Sequence, residues 1–312
     1  MVKLIIQIPC YNEEETLITT LKDLPKNING VDEIEVLVID DGSTDKSAQI
    51  ANDWGAKVLS ISSNKGLANA FRAGLQESLS LGADIIVNTD ADNQYSANDI
   101  EKLISPILNN EADIVIGARD IFNIKDFSLL KKCLQKIGSA VLRFLSTTPV
   151  EDAPSGFRAF SKEAALRINI FDNFTYTMET LIQAGAKGFK IVSVPINVNP
   201  QLRKSRLVKN IYDYILKSMK TTIRMFIVYR PFRFFFSIAS LMFIIGMFLI
   251  LRFAYFYIVG SGNGHVQSLI IASLFILTSV QLIIVAIIGD LLSINRKLLE
   301  DIQTRIKKIE FN

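Results

Sequence analysis

Two uncharged apolar stretches near the end of this 312-residue chain restrict what it can become. Residues 234–251 carry no charge, and the apolar character runs on past Arg252 to Val259. Residues 266–289 carry none at all. Both reach the ~20 apolar residues that a helix needs to cross bilayer hydrocarbon. The connector Gly260-Ser261-Gly262-Asn263-Gly264-His265 reads as a short turn. The expectation is a transmembrane helical hairpin spanning 232–289, not a buried hairpin of a soluble core. Arg224, Arg230 and Arg233 flank the first span, and Arg296, Lys297, Arg305, Lys307 and Lys308 follow the second. Only Arg252 is basic between the two, so both termini are expected on the cytoplasmic side of a cell membrane.

The segments around the hairpin share its setting. Residues 203–231 read as basic amphipathic helix, with Lys204, Arg206, Lys209, Lys217, Lys220 and Arg224 among apolar neighbours. Such a helix suits an anionic membrane surface. The tail, 290–312, has a stripe at Leu291, Ile294, Leu298, Ile302, Ile306 and Ile309. Its spacing is helical and fits either a seam between copies in a homo-oligomer or a helix lying on the membrane.

Residues 1–202 have a different pattern. Short β-branched runs at 4–8, 35–39, 57–61, 84–88 and 113–116 alternate with amphipathic stretches at 13–24, 45–54, 67–81 and 98–108. Alternation of this kind predicts an α/β domain with a mostly parallel sheet covered on both faces. Ligands of such sheets bind beyond the carboxyl ends of the strands. The apolar run before Tyr11 is too short for a secretory signal, so export of this domain is not expected. Two cysteines, Cys10 and Cys133, make no disulfide framework, and a net charge of +3 is too small to argue for nucleic acid.

The chemistry-bearing residues fall after the strands. Asp90 and Asp92 end a strand and can meet one hard divalent cation, with Gln94 as a further oxygen donor; Mg²⁺ and Mn²⁺ prefer such ligands. Asp40 and Asp41, in VIDDGSTD, point outward as acceptors for a nucleobase N–H or a ribose hydroxyl, while Ser43 or Asp45 can cap the next helix. Pro9 stiffens the exit of the first strand, and Tyr11 offers a flat face to a base. Gly66, in NKGL, opens a helix whose N–H groups suit an anion.

The ordered set PCYNE, VIDDGSTD, NKGL, DADNQ, GAR and SGFRAF resembles glycosyltransferase family 2, over roughly residues 3–210. Within it, the likeness is to dolichyl-phosphate mannose synthases and related polyprenyl-phosphate sugar transferases, some of which carry a two-span hairpin. The resemblance implies a GT-A, Rossmann-like nucleotide-diphospho-sugar transferase fold. It implies nucleotide-sugar contacts at Pro9, Tyr11, Glu13, Ile39, Asp41, Asp90, Ala91, Arg119 and Arg206. It implies a Mg²⁺ or Mn²⁺ site at Asp90, Asp92 and Gln94, and catalytic roles for Asp92 and Arg119. Asn93 stands where leucine is common in the family. Arg203 takes the place of a further basic residue before Arg206, and Lys131 and Gln135 sit where some synthases bind the acceptor phosphate.

The implied reaction is inverting, metal-dependent transfer of a sugar from a GDP- or UDP-sugar to dolichyl or polyprenyl phosphate. A phosphate with a second pKa of about 6 is ionised at neutral pH and needs no general base. Asp152, ahead of Ser155-Gly156-Phe157-Arg158, is a candidate acid in the acceptor region, or else the partner of Arg158. A processive polysaccharide synthase is disfavoured because its Q-x-x-R-W motif is absent; the only tryptophan is Trp54. A transferase acting on another membrane lipid, or a non-catalytic scaffold that binds nucleotide sugars, are the competing readings.

Overall fold

The computed structural model describes residues 1–120, 138–140, 143, 148–171, 175–200, 211–260 and 266–311. Two compact units emerge: Met1–Ile223 with Ile302–Asn312, and Arg224–Asp301.

The first unit is built on a seven-stranded sheet of order β3-β2-β1-β4-β6-β5-β7. Its strands are β1 (Lys3–Cys10), β2 (Glu33–Asp40), β3 (Lys57–Ser60), β4 (Ile85–Asn88), β5 (Ile114–Arg119), β6 (Arg158–Ser161) and β7 (Ile191–Ile196). Helices α1 (Leu17–Asp23), α2 (Ser47–Trp54), α3 (Leu67–Ser80), α4 (Ile100–Leu108), α5 (Lys162–Arg167) and α6 (Tyr176–Lys187) cover it. β1 lies centrally, parallel to β2 and to β4. From Leu4 onward it is buried on both faces, which is why it reads as a near-continuous apolar run. The five strands and four helices expected before residue 117 all form.

Two strands were not expected. β6 runs antiparallel between β4 and β5, and β7 extends the edge parallel to β5. β6 has four residues and takes its place only through pairing on both sides, a non-local fact that no periodicity announces.

The two ends of the sheet differ in charge. At the amino end, Lys3 Nζ lies 2.9 Å from Glu33 and 3.0 Å from Glu35, and Lys57 Nζ lies 2.6 Å from Glu35. At the carboxyl end the acids gather. The chain leaves β1 toward β2 on one side and leaves β3 toward β4 on the other, so the topology reverses between β1 and β4. This is where open α/β sheets place their ligands.

The second unit holds the apolar helices. α7 (Ile211–Tyr229) begins in the first unit, α8 spans Pro231–Ile258, and α9 spans Val266–Glu310 with its last turns in the first unit. α8 and α9 meet through small residues. Ala239 and Gly246 on α8 face Ala272 and Ser279 on α9, and Ser279 Oγ donates to Ala239 O at 2.9 Å. A Cβ on Gly246 would come within 2.9 Å of Ile276 Cδ1. Small residues that admit close backbone approach are the usual basis of helix pairing in lipid.

Candidate active site

Two loops beyond the sheet interlock on one side of the crevice. Asn12, in the loop after β1, has φ 55°, a left-handed conformation that asparagine tolerates. Its N–H donates to Ser43 Oγ at 2.9 Å, and its Oδ1 accepts from Thr44 N at 2.8 Å. Glu13 N donates to Ser47 Oγ at 2.7 Å, and Glu14 N to Asp45 Oδ2 at 3.2 Å. The loops after β1 and β2 are thus one polar unit, with Pro9 and Ile39 paired across the strands beneath it. Tyr11 is 40% exposed at its rim, and Glu13 is buried. Burial pushes the Cys10 thiol up to about 12, which makes it an inert core residue.

The acids of VIDDGSTD are not outward-pointing. Asp40 and Asp41 are both buried. Asp40 Oδ1 accepts from Ser43 N at 2.9 Å. Asp41 accepts Lys65 N at 2.9 Å and Gly66 N at 2.8 Å, one on each carboxylate oxygen. The anion seated at the start of α3 is therefore Asp41 itself. A carboxylate has about four lone-pair sites, so Asp41 keeps acceptor capacity for a further donor. Gly42 makes this possible: its φ is +72°, and a Cβ would come within 2.9 Å of Ser63 Cα and Asn64 N. Ser43 bridges the loops, while Asp45 both bridges them and caps α2: its Oδ2 accepts Glu14 N, and its Oδ1 accepts Ser47 N, the first amide of α2, at 2.9 Å.

On the other side, β4 delivers Asp90-Ala91-Asp92. The Ala91 carbonyl is gripped from α1 by Thr20 Oγ1 at 3.0 Å, and Thr16 Oγ1 lies 3.0 Å from it as well. Gln94 N donates to Asp92 Oδ1 at 3.2 Å. Asn93 adopts φ 53° and donates from Nδ2 to Asp23 Oδ2 at 2.8 Å. That left-handed turn accounts for asparagine where the family favours leucine, since leucine tolerates the conformation poorly. Asp90, Asp92 and Gln94 are all half-buried. Among the described residues no cluster of three metal-binding side chains occurs. Two carboxylates with solvent access nonetheless fit Mg²⁺ or Mn²⁺, which commonly keep water and substrate phosphate as their other ligands.

A polar network absent from the sequence reading backs this loop. Gln7 Nε2 donates to Asn88 Oδ1 at 2.9 Å, and Asn88 Nδ2 lies 2.9 Å from both Gly156 O and Tyr176 Oη. Gly156 N donates to Tyr95 Oη at 3.1 Å. A Cβ on Gly156 would lie 2.9 Å from Tyr176 Oη and 3.1 Å from Asp90 Oδ1, so the glycine lets the SGF segment pack against the acid. Burial, then the nearby Asp90 charge, raises the Tyr176 pKa well above its ordinary value, and the phenol stays protonated. The signal available in sequence was the polar pair Gln7 and Asn88 inside apolar strands.

Arg119 ends β5 and forms a fork with Asp152: Nε to Oδ2 at 2.6 Å and Nη2 to Oδ1 at 3.1 Å. The two side chains are 7% and 1% exposed. Burial opposes the Arg119 charge, but Tyr95, Asp152 and Asp90 overcome it and hold the pKa above its usual value. Asp152 thus pairs with Arg119 and not with Arg158. Arg158 is fully buried and donates to the carbonyls of Ser155, Thr177 and Ala153 and to Thr180 Oγ1. Burial lowers its pKa to about 10, still far above neutral. Lys131, Gln135, Arg203 and Arg206 lie outside the described residues.

Comparison with known proteins agrees with this geometry. The model of glycosyl transferase family 2 matches residues 5–168. A UDP-N-acetylglucosamine–dolichyl-phosphate N-acetylglucosaminyltransferase of Methanococcus voltae is 33% identical over 61% of this chain and 82% of its own. Glycosyltransferase AglJ of Haloferax volcanii is 28% identical over 95% of both chains. Glucosyl-3-phosphoglycerate synthase of Mycobacterium tuberculosis, solved with Mn²⁺, UDP and glucosyl-3-phosphoglycerate, superposes with a TM-score of 0.55 at 20% identity over 72% of this chain and 79% of its own. That last likeness establishes a shared GT-A fold. With the family model covering more than half of the sequence and the acids at the expected sheet edge, the chain belongs to glycosyltransferase family 2.

Proposed function

We propose that the protein transfers a sugar from a GDP- or UDP-sugar to dolichyl or another polyprenyl phosphate, with inversion at the anomeric carbon. The observation that carries this reading is the pairing, in one chain, of an Asp90/Asp92 edge with two helices that expose their apolar side chains. Only 11% of the most apolar window of α8 is buried, and 17% of that of α9. A glycosyltransferase anchored in this way suits an acceptor that itself resides in the bilayer. The relative from Methanococcus voltae is named for such an acceptor.

Pro9, Tyr11, Glu13, Ile39 and Asp41 hold the nucleoside, with Asp90 and Ala91 nearer the diphosphate and Arg206 closing over the donor. Asp90, Asp92 and Gln94 hold Mg²⁺ or Mn²⁺, which offsets charge on the leaving diphosphate. The acceptor phosphate oxygen attacks the anomeric carbon as the bond to the diphosphate oxygen breaks, and the nucleoside diphosphate leaves. The acceptor brings its own negative charge, so the protein supplies cations in place of a base. Arg119 is that cation. Asp152 holds its guanidinium through Nε and Nη2, leaving Nη1 and one Nη2 proton for phosphate oxygens. Paired in this way, Asp152 is a positioning residue. The transferase domain is assigned to 1–202, juxtamembrane helix to 203–231, the spans to 232–289 and the tail to 290–312, with both termini cytoplasmic.

The test is to incubate membranes containing the protein with labelled nucleotide sugars and polyprenyl phosphate. A labelled, mild-acid-sensitive lipid of inverted anomeric configuration is expected. Label on a ceramide or glycerolipid would move the acceptor, and donor binding without turnover would leave a scaffold.

A further inference from the structure

The loop that carries Asp90 and Asp92 is held from the far edge of the sheet. β7 ends at Ile196, three strand spacings from β4, or about 14 Å at ~4.8 Å per strand. Residues 197–199 cross the ends of β5 and β6 and pair with the loop after β4. Tyr95 and Val198 form an antiparallel bridge, and Ser96 N donates to Asn197 O at 3.3 Å. Asn197 N in turn donates to Asp99 Oδ2 at 2.6 Å. Asn199 completes the segment. Its N–H donates to Gln94 O at 2.9 Å, and its Nδ2 donates to Asn93 O at 3.0 Å, with Tyr95 O 3.4 Å away.

Asn93, between Asp92 and Gln94, is the residue that these bonds fix. Its φ of 53° is a conformation that a side-chain-bearing residue keeps only when something holds it. Its Nδ2 is tied to Asp23 on one side and its carbonyl to Asn199 on the other. The carbonyls of Ala91, Asn93 and Gln94 are therefore all committed to neighbouring elements, α1 or residues 197–199. What remains for a cation at this turn is side-chain oxygen. The aim of those side chains depends on the backbone at Asn93, because the contact from Gln94 N to Asp92 Oδ1, 3.2 Å, spans that residue. Rotation of the peptide units there would turn Asp92 and Gln94 apart.

We propose that Asn199 is a positioning residue of the metal site: its side-chain amide locks the turn at Asn93 and so keeps the Asp92 and Gln94 side chains set for one cation. This rests on the reading of Asp90, Asp92 and Gln94 as the residues that hold Mg²⁺ or Mn²⁺. Asn199 acts through the backbone of its neighbours, and its effect is preorganisation. A loop already in its binding turn loses less freedom when a cation arrives. Without the Nδ2 contact the turn is still sterically allowed, so the chain folds, but cation affinity falls. One lost hydrogen bond of ordinary strength corresponds to about a 3–10-fold change in affinity.

Mn²⁺ binding to the full-length protein in detergent, with UDP or GDP present, tests this, the free ion being read by electron paramagnetic resonance. Asn199→Ala is expected to weaken Mn²⁺ binding about 3–10-fold at an unchanged thermal midpoint. In the transfer assay, half-saturating Mn²⁺ should rise by the same factor, while turnover at saturating Mn²⁺ stays within about twofold. Asn199→Ser keeps a small polar side chain and loses the amide; it should match Asn199→Ala, and it carries the test if the alanine variant fails to fold. Asn197→Ala, on the same segment with its backbone bonds intact, should bind Mn²⁺ like the parent. Parent-like Mn²⁺ binding in the Asn199 variants overturns the inference, as does unfolding of both. So does an equal loss in Asn197→Ala, which would mark a general loosening of the segment. If the parent binds no Mn²⁺, or Asp92→Asn binds it as tightly as the parent, the metal reading falls and takes the inference with it.

Discussion

The sheet and the helical hairpin use the same residues in opposite ways. Ile5, Ile6 and Ile8 in β1 are wholly buried, whereas Ile244 on α8 is 63% exposed and Phe248 is 66% exposed. In the first unit, apolar side chains fill the core, and buried polar groups such as Asn88 and Arg158 are held by partners. In the second, small residues occupy the seam and the large apolar ones face outward. The direction of burial reports the solvent. Where the surroundings are hydrocarbon, apolar surface gains nothing by hiding, and packing falls to Ala, Gly and Ser.

The largest expected effect breaks the sheet side alone. Asp92→Asn should lower transfer by about 100-fold or more, since losing a metal ligand forfeits several kcal/mol of charge stabilisation. Circular dichroism and membrane association should be unchanged; turnover near the parent level with Mg²⁺ or Mn²⁺ would remove Asp92 from the metal site. Chelation of the parent should mimic the variant.

The hairpin side is broken by charge. Phe248→Lys should cost about 3 kcal/mol of insertion at mid-span, while Phe248→Leu should be close to neutral. Protease protection in membranes separates the two. If Phe248→Lys inserted as well as Phe248→Leu, that face would not meet lipid. At the seam, Gly246→Leu should cost about 1–3 kcal/mol through overpacking, read as earlier thermal loss of the folded protein in detergent.

A smaller effect probes the Arg119–Asp152 fork. Arg119→Lys keeps the charge but loses the two-pronged geometry, and should slow turnover by about 10-fold, equivalent to ~1.4 kcal/mol. Asp152→Asn should be milder, and the double variant should fall well short of the product of the single losses, because both act on one contact. Independent, multiplicative losses would give Asp152 a separate role.

The mildest handle is pH. Turnover should rise as the acceptor phosphate takes its second charge near pH ~6 and then level off. Arg119 and Tyr176, both held above their ordinary pKa values, do not titrate in that window. An acceptor with a lower second pKa should move the rise to lower pH by the same amount; a rise that stays fixed would point to an enzyme group.

The positions of the candidate residues were legible from residue order: Asp90, Asp92 and Gln94 follow β4 and Arg119 ends β5, where β-branched runs give way to polar residues. What was not legible depended on contacts far apart in sequence. Asp41 looked free for a ligand, yet residues 24 and 25 positions later occupy both its oxygens. Asp152 read as a candidate acid or as the partner of nearby Arg158, but Arg119, 33 positions earlier, holds it. Asn88 and Tyr176 are 88 positions apart and meet behind Asp90.

The sequence by itself determined the alternating α/β core, the acids after its strands and the two lipid-length helices, because each is written in local period, polarity and length. Only the tertiary structure decided that β6 inserts antiparallel, that Arg119 and Asp152 form a fork, and that Asn199 reaches the loop after β4 from the far edge of the sheet. Those outcomes depend on which groups meet across the chain. A carboxylate or lysine has the same local signature whether it faces water or is gripped by a distant partner, and pairing after folding makes the difference.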